Sequence, residues 1–293
     1  MHWAEGFIAV DWGTTNRRAY RMDTSGKCTA EFEDDKGILS VPKDGFPAAI
    51  ADIRNRLGDH PLLLAGMIGS NRGWKEAAYV PCPAGIDDLA KGLLWAGSRE
   101  AIIPGVSYLR NGRADVMRGE EIQLLGAVAA HLVDPTGLVC HPGTHNKWVT
   151  LRHGQISEFQ TVMTGEIFNL LKEYSILSDL LQGEVEANGA FKQAAADAIG
   201  EAALTSELFS VRARVLLGQS KKEDAAAYTS GLLIGTDVRI GLSIPTAAQI
   251  SVIGRPELTK LYAAAIGQAQ RDSVEVDGEK CFLAGAQEIA KRI

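Results

Sequence analysis

A chain of 293 residues is long enough to hold two domains of ordinary size, and its 46% hydrophobic and 23% charged content is that of a folded protein rather than a disordered one. A formal net charge of −6 without a basic stripe argues against a nucleic-acid binder, while leaving room for a few arginines to hold a small anion. The four cysteines, Cys28, Cys82, Cys140 and Cys281, lack metal-ligand spacing and read as reduced thiols. No stretch approaches the ~20 apolar residues that cross a bilayer. The apolar run at residues 7–10 leads straight into Asp11 and leaves no space for a signal peptide. A soluble, cytoplasmic protein is expected, with no nucleic-acid and no membrane partner.

In chain order, residues 7–10 have strand composition and run into the turn Asp11-Trp12-Gly13-Thr14-Thr15. Residues 18–22 read as a second strand, Ser25-Gly26 as a turn, and residues 28–32 as a third strand. The spacing of Phe46, Ile50, Ile53 and Leu57 predicts a helix, residues 62–65 a buried strand, and residues 120–132 a helix joining two halves. The second half opens like the first. Residues 137–140 form a strand, Pro142-Gly143-Thr144-His145 a small-residue turn, and residues 147–151 and 155–160 two more strands around His153-Gly154. Helices are predicted over 165–181, 186–199, 205–217 and 223–240. Short strands at 249–253 and 280–283 are each expected to run into a glycine and then a helix. This order implies an α/β fold with helices covering each sheet. The boundary is placed at Asp134-Pro135, giving lobes 1–134 and 135–293.

The two glycine-threonine turns carry the first chemical signal. A tight turn with Gly13 lets backbone N–H groups approach an anion, and the Thr14 and Thr15 hydroxyls add donors. A carboxylate such as Asp11 at the end of the preceding strand can hold Mg2+ through water. Taken alone, this turn is explained as well by a capped hairpin. The second turn, Gly143-Thr144-His145-Asn146-Lys147, stands at the equivalent place in the other half. Two such hairpins facing one another across a cleft would grip a polyphosphate from both sides. Lys147 is either a point charge for that anion or a strand-surface lysine, and His145 either bonds phosphate or is satisfied within its hairpin.

This paired pattern resembles the sugar kinase, heat-shock-70 and actin superfamily, whose phosphate-1 and phosphate-2 hairpins have this form. The resemblance implies a two-lobed actin-like ATPase (ribonuclease H-like) fold, with ATP and Mg2+ as cofactors. It also implies a catalytic aspartate just before the linking helix. Here Asp115, in Ala114-Asp115-Val116-Met117-Arg118-Gly119-Glu120-Glu121, occupies that place and would take the proton from the attacking hydroxyl. An N-cap for the following helix is the alternative role. The segments around Gly254 and Gly285 resemble the family's adenosine-binding turns and fit a nucleotide seat on the second lobe.

A closer resemblance rests on five blocks: IAVDWGTTNRRAY at 8–20, GMIGSNRGW at 66–74, YVPCPAG at 79–85, DVMRGEEIQ at 115–123 and PGTHNKW at 142–148. Together they are similar to the 2-dehydro-3-deoxygalactonokinase family. The resemblance implies transfer of the γ-phosphate of ATP to the 6-hydroxyl of 2-dehydro-3-deoxygalactonate. A 2-keto acid needs a planar pair of donors for its carboxylate, which arginine supplies. Arg18, Arg72 and Arg118 are the candidates. Arg17 and Arg18 point to opposite faces of one strand, so only one of the two is expected at the substrate. Ser70, Asn71 and Glu121 are candidates for sugar hydroxyls. Trp74 either packs on the carbon chain or anchors the local core. Cys82, between prolines with no base nearby, reads as packing. A non-catalytic sensor on the same scaffold is the alternative class, and a homodimer is compatible with the sequence.

Overall fold

The computed structural model describes residue 3 and residues 6–110, 112–245 and 249–293. Strands β1 (Phe7–Trp12), β2 (Arg17–Met22) and β3 (Cys28–Asp34) form the expected meander. β1 pairs antiparallel with β2, so that Asp11 lies opposite Arg18 and Trp12 opposite Arg17. Helix α1 (Phe46–Leu57) buries Phe46, Ile50, Ile53 and Leu57, the face its spacing predicts. Strand β4 (Leu62–Gly66) is buried throughout and runs parallel to β1. There follow β5 (Tyr79–Pro81), α2 (Ile86–Lys91), β6 (Leu94–Trp95), β7 (Glu100–Ile102), β8 (Gly105–Arg110) and β9 (Arg113–Met117). Helix α3 (Glu120–Ala129) comes next and ends sooner than expected, because His131 takes a left-handed φ of 56°.

The second half repeats the pattern with β10 (Gly137–His141), β11 (Asn146–Arg152) and β12 (Gln155–Val162). Helices α4 (Thr164–Tyr174), α5 (Gly189–Ile199), α6 (Leu204–Leu216) and α7 (Ala225–Leu242) follow. The single helix expected over 165–181 therefore stops at Tyr174, and a separate short turn covers Ser178–Leu180. Helix α5 starts later than its periodicity suggests, at Asn188, whose side chain accepts the Phe191 N–H as an N-cap. Strand β13 (Ile250–Gly254) runs into α8 (Pro256–Gln268), as expected.

The last expected strand is corrected. Residues 280–283 are helical, inside α9 (Gly278–Ala290), and the strand is β14 (Ser273–Asp277) just before them. The apolar run there is the buried stripe of a helix (Cys281, Phe282, Gly285, Ala286, Ile289), and a four-residue window cannot separate the two periods.

One sheet has the order β3-β2-β1-β4-β7-β6 and another β12-β11-β10-β13-β14; a small third sheet is β5-β8-β9. In both large sheets a meander is extended by parallel strands, β4 and β7 in one, β13 and β14 in the other. Two sheets of this shared topology give the two-lobed α/β, actin-like ATPase fold expected from the sequence.

The chain forms two compact units. One comprises Met1–Thr136, Leu151–Glu158 and Gly278–Ile293, the other Gly137–Thr150 and Phe159–Asp277. The C-terminal helix, expected with the second lobe, thus belongs to the first unit. The first unit's core gathers Ile8, Val10 and Trp12 of β1 with α1 and β4. The second unit's core gathers Trp148, Phe191, Ile234, Val252 and Ile266.

Candidate functional site

In the first unit the hairpin after β1 is held from one side. The carbonyls of Gly13, Thr14 and Thr15 accept the N–H groups of Ile38, Leu39 and Gly37 at 3.0, 3.2 and 2.9 Å. Because a peptide plane carries its C=O and the following N–H in opposite directions, the N–H groups of Thr14 and Thr15 are turned the other way. Thr14 and Thr15 are exposed. This is the geometry of an anion-binding turn. Gly37 permits it, since a Cβ there would lie 2.3 Å from the Thr15 carbonyl carbon.

The neighbouring arginines divide as the strand alternation predicts. Arg17 is fully buried. Its Nε and Nη2 donate to Asp34 at 3.1 and 2.7 Å, Nη2 also to Asp52 at 2.9 Å, and Nη1 to the Ala49 carbonyl at 3.2 Å. Arg18 faces the other way and donates Nη2 to Asp11 Oδ2 at 2.7 Å. The two residues expected to hold substrate and metal are thus ion-paired to one another.

Hairpin, turn and helix start converge at two glycines. Gly66 ends β4 with φ 88°, and a Cβ on it would sit 2.8 Å from the Trp12 carbonyl oxygen. Gly119, the residue before α3, has φ 108°, and its Cβ would sit 3.2 Å from Gly66 Cα. Only glycine tolerates both the backbone and the approach. They bring Arg118 against the turn that follows Gly66, where a Cβ on Gly69 would lie 2.9 Å from its Nη1.

Arg118 donates Nη2 to the Ala77 carbonyl at 2.7 Å, and its guanidinium carbon lies 4.4 Å from the Tyr79 ring centroid. Its Nε and Nη1 are buried and have no hydrogen-bond partner among the described residues. Glu121 is fully buried: Oε2 accepts the Gly119 N–H at 2.7 Å, while Oε1 has no hydrogen-bond partner among the described residues. Burial, reinforced by the charge of Glu120, pushes its carboxyl up to about 8, against the pull of the Glu121 and Gly119 N–H groups and of Arg118. Near neutral pH this carboxyl keeps its proton and can donate.

Asp115 lies in β9, half-buried, with Oδ1 accepting the Val116 N–H at 2.8 Å. It is not the N-cap of α3, a place Gly119 takes. Ser70 Oγ is turned back to the Met67 carbonyl at 2.7 Å, and Arg72 is exposed beside it. Trp74 packs on the core of the first unit, the anchoring role among its two readings. Cys82 is inert, its thiol pushed up to about 12 by burial and then by Glu158.

In the second unit the hairpin between β10 and β11 leans on the start of α4. A Cβ on Gly165 would lie 2.7 Å from the Gly143 oxygen and 2.9 Å from Thr144 Cα, and the Glu166 N–H donates to the Thr144 carbonyl at 3.0 Å. The positive end of the helix dipole therefore meets the hairpin, as at many anion sites. His145 Nε2 bonds Glu166, so this histidine is satisfied next to its hairpin. Lys147 is 3% exposed and donates to the His145 carbonyl at 3.2 Å, which places its charge beneath the turn. A cavity of about 260 Å³ opens beside Gly143, Thr144, Thr164 and Gly165, walled by Phe168, Leu233, Ile234, Leu258, Leu261 and Tyr262. Polar backbone at one end and apolar side chains at the other suit a phosphate and an aromatic base. Gly254 stands behind the hairpin, its Cβ position 3.7 Å from the Pro142 carbonyl oxygen, and α8 after it supplies cavity wall.

Gly285 is corrected. It lies in the middle of α9 in the first unit and faces α3, where its Cβ would be 2.2 Å from the Ile122 carbonyl oxygen. Its smallness serves the close packing of α9 on α3 rather than a strand-to-helix turn. The sequence reading also missed Asp237, Thr164 and Tyr262. The one available signal was a lone aspartate inside the otherwise apolar or small-residue stretch of α7.

Comparisons with known proteins bear on the family and the fold. The family profile described as 2-keto-3-deoxy-galactonokinase matches residues 11–289. The 2-dehydro-3-deoxygalactonokinase of Escherichia coli (strain K12) is 34% identical over 291 residues, covering 98% of each chain. A crystal structure of a protein from Sinorhizobium meliloti, described as a 2-dehydro-3-deoxygalactonokinase, is 34% identical with a TM-score of 0.91, covering 97% of this chain and 98% of that one. The activator of 2-hydroxyisocaproyl-CoA dehydratase from Clostridium difficile, with bound ADPNP, shares the fold at a TM-score of 0.53 and 10% identity, over 98% of this chain and 94% of its own. With a matching profile over nearly its whole length and a curated relative matched end to end, the chain belongs to the 2-keto-3-deoxy-galactonokinase family.

Proposed function

We propose that the protein transfers the γ-phosphoryl group of ATP to the 6-hydroxyl of 2-dehydro-3-deoxygalactonate. The observation that carries the acceptor assignment is Arg118. Among the described residues its Nε and Nη1 are donors without hydrogen-bond partners, beside a Glu121 carboxyl that also has an unused oxygen. Nε and Nη1 lie on different edges of the guanidinium, so each can donate singly to an oxygen of a 2-keto acid carboxylate, and a protonated Glu121 matches a hydroxyl or keto oxygen. Arg18, already paired with Asp11, is the weaker carboxylate ligand.

The nucleotide reading rests on the two glycine-threonine hairpins and on the cavity beside Gly143 and Thr144. Phosphoryl transfer needs little covalent help from the protein, so its residues position and neutralise. Gly13, Thr14 and Thr15 turn N–H and hydroxyl donors to phosphate oxygens, Gly143 and Thr144 do the same on the second unit, and Lys147 adds charge beneath the turn. Asp115 accepts the proton of the attacking hydroxyl.

Mg2+ bound with a nucleotide keeps waters and phosphate oxygens and asks for one or two carboxylates. A single carboxylate fits that demand, and Asp11, near the end of the strand that leads into the hairpin, is the candidate. The ion would supply neutralisation of the polyphosphate charge.

The test is coupled ADP release with 2-keto-3-deoxy acids derived from galactonate and from gluconate, side by side, for the wild type and Arg118→Lys. Turnover on the galactonate-derived acid is expected. Arg118→Lys should raise its KM by about tenfold or more with the ATP KM unchanged, because a compact ammonium replaces a planar group with donors on several edges. No turnover on either acid would remove the substrate assignment. An unchanged sugar-acid KM would remove Arg118 from the site.

A further inference from the structure

We propose that Asp237 is a positioning residue for the nucleotide: one buried carboxylate joins the second hairpin, the start of α4 and helix α8 into a single fixed seat. This rests on the reading that ATP occupies the hairpin and the adjoining cavity.

Asp237 lies on α7 and is fully buried. Its Oδ1 accepts from Asn146 Nδ2 at 2.9 Å and from Trp148 Nε1 at 2.7 Å. Its Oδ2 accepts from the Tyr262 hydroxyl at 2.6 Å and from the Thr164 hydroxyl. Four donors occupy the two oxygens, which is about the full capacity of a carboxylate. Burial pushes this carboxyl up from its ordinary range, and the four hydrogen bonds, from Thr164, Tyr262, Trp148 and Asn146, pull the other way.

The identity of the donors gives the network its meaning. Asn146 immediately follows His145 in the hairpin, and its own Oδ1 accepts the Cys140 thiol at 3.3 Å, so its amide is held at both ends. Thr164 is the first residue of α4 and, with Tyr262, lines the cavity. Each segment that forms the seat therefore sends a donor to the same carboxylate. Elsewhere the buried face of α7 is mostly alanine, glycine and aliphatic side chains with the uncharged Tyr228, Thr229 and Ser230, and Asp237 is the charged residue among them. A buried carboxylate is an expensive way to join helices. What it adds over apolar contact is direction: hydrogen bonds fix the angle and register of the parts they connect. Gly165 needs that register, because its Cα packs directly against Gly143 and Thr144. A small drift of α4 would move both the hairpin N–H groups and the cavity wall.

The experiment uses the full-length protein and measures KM for ATP and for 2-dehydro-3-deoxygalactonate in four variants. Asp237→Asn keeps the volume but leaves fewer acceptors, and it should raise the ATP KM by about tenfold while the sugar-acid KM stays within about twofold. Thr164→Val and Tyr262→Phe each remove one donor and should raise the ATP KM by about threefold with the same split. They decide the question should Asp237→Asn not fold. Gly165→Ala, which pushes a methyl into the hairpin, tests the underlying reading. An unchanged ATP KM in Gly165→Ala would remove the nucleotide from this seat. A raised ATP KM there, with the Asp237, Thr164 and Tyr262 variants unchanged or losing both KM values in parallel with stability, would overturn the positioning role alone.

Discussion

Replacing Gly285 by alanine separates helix packing from nucleotide binding. A methyl on Gly285 would lie 2.2 Å from the Ile122 carbonyl oxygen, 2.8 Å from Ile122 Cγ1 and 3.1 Å from its carbonyl carbon. The opposing surface is equally close: a methyl on Gly126 would lie 2.0 Å from the Cys281 oxygen and 2.5 Å from Gly285 N. The obstacle is backbone on both sides, so relief requires α9 to move off α3 by roughly 1 Å, the kind of overpacking that costs about 1–3 kcal/mol. Alanine returns up to about 1 kcal/mol of helix preference over glycine. Because backbone rather than a flexible side chain must yield, the upper part of the overpacking range applies, about 2–3 kcal/mol. The net expectation is a loss of about 1–2 kcal/mol, with the ATP KM of the folded variant unchanged. Urea unfolding followed by tryptophan fluorescence measures the first, and steady-state kinetics the second. Unchanged or increased stability would refute the close approach of the helices. A raised ATP KM with unchanged stability would return Gly285 to the nucleotide site.

The remaining predictions concern charge. Glu121 has a folded-state value of about 8 against an ordinary 4.5, so the folded state keeps a proton that the unfolded chain releases. Its contribution is fully present below the lower value, declines as pH rises by up to about 1.4 kcal/mol per unit, and is gone above the upper one. Glu121→Gln should flatten that decline when urea midpoints are compared between about pH 5 and 9, and parallel curves for the two proteins would contradict it. Arg17→Met leaves Asp34 and Asp52 without their buried partner and should cost about 3 kcal/mol, with both KM values unchanged in the folded fraction. A stability loss below about 1 kcal/mol, or a raised sugar-acid KM, would reverse the assignment of Arg17 to the scaffold.

The sequence carried the meanders and both hairpins openly, because a strand ending in Gly-Thr is a local event. The opposite facing of Arg17 and Arg18 was legible for the same reason, from strand alternation alone. Which acidic partners Arg17 would meet was not, since Asp34 and Asp52 are brought to it only by the pairing of β3 and the packing of α1. Gly285 was misread because a glycine after a short apolar run marks a strand-to-helix turn and a helix–helix contact alike. Only the return of α9 to α3 decides between them. The Asp237 network was illegible because its donors stand 25 to 91 residues away in sequence. Arg118 and Glu121 were visible as candidates, but their unused atoms are a property of packing, not of spacing.

The central claim is that Asp115 activates the acceptor hydroxyl of a sugar acid for attack on ATP. Single-turnover phosphoryl transfer from ATP to 2-dehydro-3-deoxygalactonate, measured for the wild type and Asp115→Asn together with ATP affinity, tests it most directly. The account predicts that the wild type forms the 6-phosphate and that Asp115→Asn does so at least about a hundredfold more slowly with ATP affinity preserved. A variant that transfers phosphate at close to the wild-type rate would contradict it.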